Sequence, residues 1–406
     1  MTTAPLPARV DIAVVGRGAV GMAAALALAR EGRSVALIGP DPVRPPVPTG
    51  ADNRVFALSA PSRALLEPLG VWGAIDAARM APVTDMRVHP AGGTQTRSLS
   101  FTAFESGIEA LAWIVENSAL ARALAQALAF STVRTFDASI AGLDPASSAH
   151  YARLRFNDGR ALEARLVIGA DGAQSAVREF AGISSVWHDY PHHALVANFD
   201  TELPHRHIAW QWFGEHGILA LLPLAPGPSA AGRFSIVWSA PIGLAETLRE
   251  LQGEALAERV QEVSDHVAGR MKLISAVSVH PLRLGRVSTM ISPRVALVGD
   301  AGHGVHPLAG QGMNLGFGDL TDLVTALRGE RDPGARLVLR RYERARAEPV
   351  QVMQALTDSL QKLFDPSALH TIRPFDRPLV LVRDLGWDLI SRSGWLRRAL
   401  VAHAIG

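Results

Sequence analysis

Cysteine is absent from the 406 residues. Its absence excludes a disulfide framework, thiolate catalysis, an iron–sulfur cluster and a cofactor linked covalently through a thiol. Tyrosine is scarce, at Tyr151, Tyr190 and Tyr342 alone, which leaves few phenols for proton transfer. Long apolar runs are missing as well. A long uncharged stretch, Gly217 to Gly232, contains Pro223, Pro226 and Pro228, and no segment supplies the ~18 apolar residues of a membrane-spanning helix. The opening residues, MTTAPLPARVDIAVVG, lack a charged segment followed by an apolar one and a small-residue cleavage site, which predicts an unexported, cytoplasmic chain. No short-period repeat or low-complexity tract is present, and a net charge of +2 gives no reason to expect a nucleic-acid partner.

What is present is a large apolar fraction, 48% of residues, enough to bury a substantial core and, at this length, to form two lobes. From Val10 to Ile38 the chain reads VDIAVVGRGAVGMAAALALAREGRSVALI: a buried strand, a glycine turn, an Ala/Leu-rich helix and a second strand. Gly16, Gly18 and Gly21 make G-x-G-x-x-G within this βαβ unit. The first glycine permits the tight turn, the second lets backbone approach a pyrophosphate, and the third allows close helix–strand packing. The helix N-terminus then offers N–H groups and a positive dipole end to phosphate. One feature departs from the pattern: the second strand ends at Gly39, where a carboxylate ordinarily bonds the ribose, and Asp41 is the nearest acid to take that role.

Two further loops extend the cradle. ARLVIGADGAQSAVRE carries Asp171 and Gly172 after an apolar strand, and RVALVGDAGHGVHPLAGQGMNLGFGDLTDLVTAL carries Gly299 and Asp300 at a strand end before a glycine-rich run into a helix. Asp300 is placed to bond a polyol such as a ribityl chain. A helix beginning near Gly312 aims its N–H groups at the edge of a flavin that becomes negative on reduction. Taken singly, Asp300 reads as an N-cap and Asp171 as a turn residue. Three glycine/acid loops after three strands fit one extended dinucleotide better, and they favour FAD over NAD.

The GxGxxG unit, the ADG segment (Ala170 to Gly172) and GDAGHGVHPLAGQGMNLG (Gly299 to Gly316) together resemble the flavoprotein aromatic hydroxylases related to p-hydroxybenzoate hydroxylase. ADNRVFALSAPSRALLEPLGVW, WIVENSALARAL and GILALLPLAP are similar to the ubiquinone-biosynthesis hydroxylase family, which acts on polyprenylated phenols. The resemblance covers nearly the whole chain. It implies that NAD(P)H reduces bound FAD, that O2 then gives a flavin C4a-hydroperoxide, and that one oxygen atom is added to a phenol ring. It also implies that Arg54 and Asn117 sit beside the flavin, Asp300 on the ribityl chain, and Gly312, Met313 and Asn314 near the ring system; Gly310 and Gln311 join them as cofactor-binding candidates, as do Asp171 and Gly172. No catalytic base is identified; His306 and Pro307 are the candidates nearest the flavin. Gly302 and Gly304 depart from the family's Ala and small hydroxyl residue, which predicts a looser loop.

The expected fold is α/β: a Rossmann-like FAD-binding domain (1–82, 102–184 and 278–334), an inserted, mainly antiparallel β-sheet substrate domain (83–101 and 185–277), and C-terminal helices (335–406). Rival readings are an FAD reductase or dehydrogenase of the same fold, and a flavin-loaded scaffold of the ubiquinone pathway. An NAD-dependent dehydrogenase has no need of the two distal loops. The absence of a second GxGxxG predicts that NAD(P)H visits the flavin transiently.

Other constellations invite weaker readings. His303 and His306 without a third ligand do not make a metal site, and packing against the flavin is the expected role. His188, His192, His193, His205, His207 and His216 read as scattered surface histidines. Ser59, Ser62 and Glu67 lack a G-x-S-x-G elbow. Trp210, Trp212, Phe213, Phe234 and Trp238 read equally as core or as lining of a substrate cavity. Residues 331–406 carry 13 basic against 8 acidic residues. With Trp387, Trp395 and Leu396 they leave room for association with the inner face of a membrane, or for a complex with other ubiquinone-pathway proteins.

Overall fold

The computed structural model describes residues 9–40, 52–89, 98–214, 216–227, 230–251, 253–304 and 311–364, except the side chains at 311, 356 and 358–364. Among these residues the strands fall into three sheets. The first has eight strands in the order β18-β19-β11-β1-β2-β8, with a hairpin of β9 and β10 branching from β11. They are β1 (Arg9–Val15), β2 (Val35–Ile38), β8 (Arg134–Phe136), β9 (Ile140–Asp144), β10 (Ala152–Phe156), β11 (Ala161–Gly169), β18 (Ile291–Ser292) and β19 (Val295–Leu297). The run β19-β11-β1-β2-β8 is parallel. Parallel strands covered on both faces read as continuous apolar runs rather than alternations, and β1 shows why. Ile12 and Val14 enter the core under helices α1 (Ala19–Arg30), α4 (Asn117–Ala129) and α8 (Gln311–Leu327), while Ala13 and Val15 face the β9–β10 hairpin and α5 (Ala176–Phe180).

A small antiparallel sheet, β3 (Val55–Leu58), β7 (Ala112–Glu116) and β4 (Met80–Val83), adjoins this lobe. The third sheet has nine strands: β5 (Asp85–His89), β6 (Leu99–Thr102), β12 (Ser185–Thr201), β13 (Ile208–Gly214), β14 (Gly217–Pro223), β15 (Gly232–Pro241), β16 (Met271–Leu273), β17 (Ser278–Val287) and β20 (His303–Gly304). Its pairs are antiparallel apart from β13–β5. The architecture is thus a Rossmann-like α/β lobe with an inserted, mainly antiparallel sheet and C-terminal helices.

Period-two alternation sorts the two faces of the large sheet. Leu195, Phe199, Trp212, Phe234 and Trp238 pack beneath α6 (Ile242–Glu250) and α7 (Gly253–Val263), so most of the aromatics that read equally as core or cavity are core. The opposite face carries Met86, Ala209 and Leu222 against Val55, Ala57 and Ile114 of the small sheet. Next to them lie Val88, Leu99, Phe213 and Ile218. The small sheet, which adjoins the dinucleotide lobe, covers part of this second apolar face.

Two expectations need correction. The boundary drawn at 277 is too early, because β17 pairs with β12 from Ser185↔Val287 to Val196↔Ser278 and belongs to the large sheet; a composition change marks where a segment turns, not which sheet it pairs with. The histidines are not all at the surface: His192, on β12, is 2% exposed, and His205, in the connection from β12 to β13, is 8% exposed. Two short helices, α2 (Ala60–Leu66) and α3 (Ala103–Ser106), link strands, and α9 (Arg336–Phe364) closes the chain's described part. Among the described residues no helix is long and apolar enough to cross a membrane.

Candidate active site

Three segments far apart in sequence end side by side. In the parallel register Val15 of β1 lies beside Gly169 of β11, and Gly169 beside Leu297 of β19. The first residues past these ends continue the ladder: Ala170 N donates to Val15 O and Val298 N to Gly169 O. The GxGxxG turn, the ADG loop and the Gly299–Gly304 loop therefore share one rim at the carboxyl edge of the sheet, where α/β folds bind dinucleotides.

The glycines test whether that rim suits an ADP moiety. A Cβ on Gly16 (φ +114°) would stand 2.1 Å from the Ala170 carbonyl oxygen, and one on Gly21 would stand 1.9 Å from the Gly16 carbonyl oxygen. These two are glycines because the chain crosses itself. Gly18, the helix N-cap, is exposed, and an added Cβ would meet nothing within 4 Å. Its bare backbone faces open space at the N-terminus of α1, the approach a pyrophosphate requires.

The acids divide. Asp300 is exposed on the rim, in a short 3-10 turn, Gly299–Ala301, whose own N-cap is Val298; it is not the cap of the following helix. Asp171 is committed within the chain: its carboxylate accepts from Ser175 Oγ at 2.5 Å and from Val177 N at 3.1 Å, capping α5. Gly172 (φ +81°) follows it in a turn with no protein atom near an added Cβ. Arg178, 7% exposed, ties the loops together, donating to Ala301 O at 3.0 Å and Ala173 O at 2.7 Å while its guanidinium lies 5.5 Å from the Trp187 ring centre.

At the α8 end, the side chain of Asn314 is engaged by the protein. Its Oδ1 accepts from Ser59 N at 3.0 Å and Ser62 Oγ at 2.7 Å, and its Nδ2 donates to Ala57 O at 2.8 Å. Asn314 thus locks the first turn of α8 to β3 and α2, and the two serines serve it. Gly312 and Met313 lie in that first turn, and Gln311 opens the helix. Arg54 is exposed, its guanidinium 5.3 Å from the Phe56 ring centre, and Asn117 N donates to Arg54 O at 2.8 Å, so these two predicted neighbours do meet. Asp41, His306, Pro307, Gly310, Trp387, Trp395 and Leu396 lie outside the described residues.

Beneath the rim sits a buried charged hub that sequence reasoning missed. Asp319, fully buried on α8, accepts from Gly299 N at 2.7 Å, His303 Nε2 at 2.6 Å and Arg346 Nε at 2.7 Å. A carboxylate only accepts, so His303 carries its proton on Nε2. His303 is 1% exposed, and its Nε2 is taken by Asp319. Among the described residues no cluster suited to a metal exists. The glycines expected to loosen the loop instead fit it tightly. A Cβ on Gly304 would stand 2.8 Å from both Gly285 N and the Trp187 ring, and one on Gly302 2.9 Å from Met290 Cε. A charged residue in the otherwise apolar GFGDL run of α8 was the available signal for the hub; no local signal marks the Gly285–Gly304 contact.

Comparison with known proteins agrees with this geometry. The family model described as FAD binding domain matches residues 9–358. Ubiquinone hydroxylase UbiL of Rhodospirillum rubrum is 33% identical across 98% of this chain and 89% of its own length. The 3-demethoxyubiquinol 3-hydroxylase of Escherichia coli is 33% identical across 98% of each. The chain belongs to the ubiquinone-biosynthesis FAD hydroxylase family. Among solved structures, p-nitrophenol 4-monooxygenase PnpA from Pseudomonas putida superposes with a TM-score of 0.73 at 16% identity, covering 98% of this chain and 99% of that one, a likeness of fold. As a member of this family the protein is a flavoprotein monooxygenase, with FAD as cofactor and NAD(P)H as reductant.

Proposed function

We propose that the chain hydroxylates the ring of a polyprenylated phenol on the route to ubiquinone. The observation that carries this reading is similarity over nearly the whole chain to two ubiquinone hydroxylases. In this reading Gly16, Gly18, Gly21 and the start of α1 hold the pyrophosphate, and Asp41 the ribose. Asp300 holds the ribityl chain, Asp171 and Gly172 contribute backbone, and Arg54, Asn117 and residues 310–314 border the ring system. Of Met313 and Asn314 it is the backbone that is offered, since the Asn314 amide is already bonded.

Bound FAD supplies the oxygen-activating chemistry. The chain's own part is to hold the phenol against the flavin and to keep water out. In this reading the large sheet is the substrate domain and covers the phenol, since a prenylated ring asks for an apolar enclosure with few polar groups. No tyrosine serves as a base. Tyr342 is fully buried, donates to Leu297 O at 2.7 Å, and burial, then Asp319, pushes its phenol well above the usual 10. Tyr190 is buried among Ala194, Leu282 and Leu284, and Tyr151 lies under Arg9.

The substrate's tail also motivates a membrane-surface reading. Helix α9 exposes Arg336, Arg340 and Arg344 at four-residue spacing, with Leu337 79% exposed beside them, a basic stripe suited to anionic headgroups. Flotation with anionic liposomes tests it, and failure to float removes it.

The test of the main reading is anaerobic reduction of the flavin by NAD(P)H, followed by O2 uptake with and without a prenylated phenol. Phenol-dependent uptake with a hydroxylated product is expected. Reduction without phenol-linked uptake contradicts the proposed substrate.

A further inference from the structure

Between the dinucleotide lobe and the large sheet runs the segment Asp52–Arg54, and an unusual number of hydrogen bonds converge on it. The Asp52 carboxylate accepts from Arg54 N at 3.0 Å and, with its other oxygen, from Ser118 N at 2.8 Å. Helix α4 has no side-chain cap from its own N-cap residue, Glu116, so Asp52 caps it from another strand connection. Asp52 N donates to the buried Glu116 carboxylate at 3.3 Å, which also accepts from Arg79 at 2.9 Å. Asn117 N, at the start of α4, donates to Arg54 O.

The same segment is gripped from the other side. Asn198 on β12, 0% exposed, donates from Nδ2 to Asp52 O at 2.9 Å. Its own backbone is wrapped by the connection between β16 and β17: Asn198 N donates to Ser275 Oγ and Ile274 N donates to Asn198 O, both at 2.9 Å. Asn53 Nδ2 donates to Ala276 O and to Ser278 Oγ. Asn198 lies on the face away from α6 and α7, paired with Ser235, so its amide crosses from the sheet that roofs the proposed phenol pocket to the loop carrying Arg54.

We propose that Asp52, Asn53 and Asn198 form a clip that sets the roof sheet in register with Arg54 and the N-terminus of α4, and that they are positioning residues for coupled hydroxylation. The inference rests on the proposed function. A bond between two secondary elements does not by itself affect chemistry, but this one joins the element over the substrate to the two residues, Arg54 and Asn117, that border the flavin. A small displacement between reacting partners costs more in rate than the bond costs in stability. Loosening the clip leaves both halves folded and lets their spacing drift. With the ring out of place, NAD(P)H, a proton and O2 would be converted to NAD(P)+ and hydrogen peroxide, and no hydroxylated phenol would form.

The test uses Asn53→Ala and Asn198→Ser in the FAD-loaded protein, with two readouts. Hydrogen exchange at the amides of Arg54, Asn117 and Ser118 reports the clip without turnover, and an acceleration of about tenfold is expected for loss of one net hydrogen bond. The ratio of hydroxylated product to NAD(P)H consumed reports its function. A fall of several-fold, with peroxide making up the difference and FAD affinity changed less than about twofold, is expected. Unchanged exchange in both variants overturns the clip. Faster exchange with an unchanged product ratio overturns its role in positioning. If the wild type itself makes no hydroxylated phenol, the proposed function fails and the inference falls with it, an outcome told apart from the others because it appears before any substitution.

Discussion

At Gly16 an added Cβ would stand 2.1 Å from the Ala170 carbonyl oxygen, whereas at Gly18 it would meet nothing within 4 Å. One motif therefore contains glycines of two kinds, and they separate in experiment. Gly16→Ala and Gly21→Ala are expected to prevent stable folding, since the contacts are with backbone. Gly18→Ala should leave the apoprotein's thermal midpoint nearly unchanged while weakening FAD binding, which titration of apoprotein with FAD measures. Gly304→Ala tests the close approach to Gly285 and Trp187: overpacking by one methyl costs about 1–3 kcal/mol, read as a lower urea midpoint. At this scale the sequence was legible where a rule is local. The strand, turn and helix around Gly16 lie within one βαβ unit. Gly304 was misread as a loosening residue because its neighbour, Gly285, comes from another strand and nothing nearby in sequence announces it.

Helix α8 shows how an element is held from several directions. Asn314 ties its first turn to β3 and α2, and Asp319 ties its middle to the Gly299 loop and to Arg346 of α9. The Asp319 site is a buried charge network, and breaking such a network by removing one partner costs about 3–5 kcal/mol. Asp319→Asn is therefore expected to lower the urea midpoint strongly, whereas Asp300→Ala, on the exposed rim, should leave stability alone and reduce retention of FAD on gel filtration. Equal loss of stability in both variants would contradict this division of labour. The helix itself was readable from GQGMNLGFGDLTDLVTAL, and its glycine-rich approach pointed to a cofactor. The partners of its polar residues were not, because Asn314 reaches back to Ser59 and Asp319 to Gly299, contacts fixed by how strands order themselves in a sheet.

For the whole molecule, the sheet order was the decisive arrangement. That three glycine/acid loops serve one ligand was inferred from their number; that they share one edge follows from the register of β1, β11 and β19. The large sheet was anticipated, but its extent past 277 was not, since pairing with β12 is a long-range choice. Its buried histidines give the molecule a pH signature. Burial holds His89 and His205 below the usual 6.5, assisted at His205 by His207 and, at His89, by Arg87 against the opposing pull of Asp265. The unfolded chain then binds more protons just below 6.5, so stability rises with pH there and is lost as pH falls through the folded values. Asp332, held below 3.8 by its hydrogen bond from Arg294, adds a second loss at lower pH. Urea midpoints measured downward from pH 7 should show the histidine step first, and His89→Gln with His205→Asn should flatten it.

Isotope transfer separates an FAD-dependent monooxygenase acting on a prenylated phenol from a flavin reductase or a flavin-loaded scaffold. The purified protein, loaded with FAD and supplied with NAD(P)H and isotopically heavy dioxygen, is given a prenylated phenol, and the product is weighed by mass spectrometry. One heavy oxygen atom per hydroxylated ring is the predicted result; a phenol recovered unchanged while NAD(P)H is consumed, or a product whose new oxygen comes from water, would contradict it.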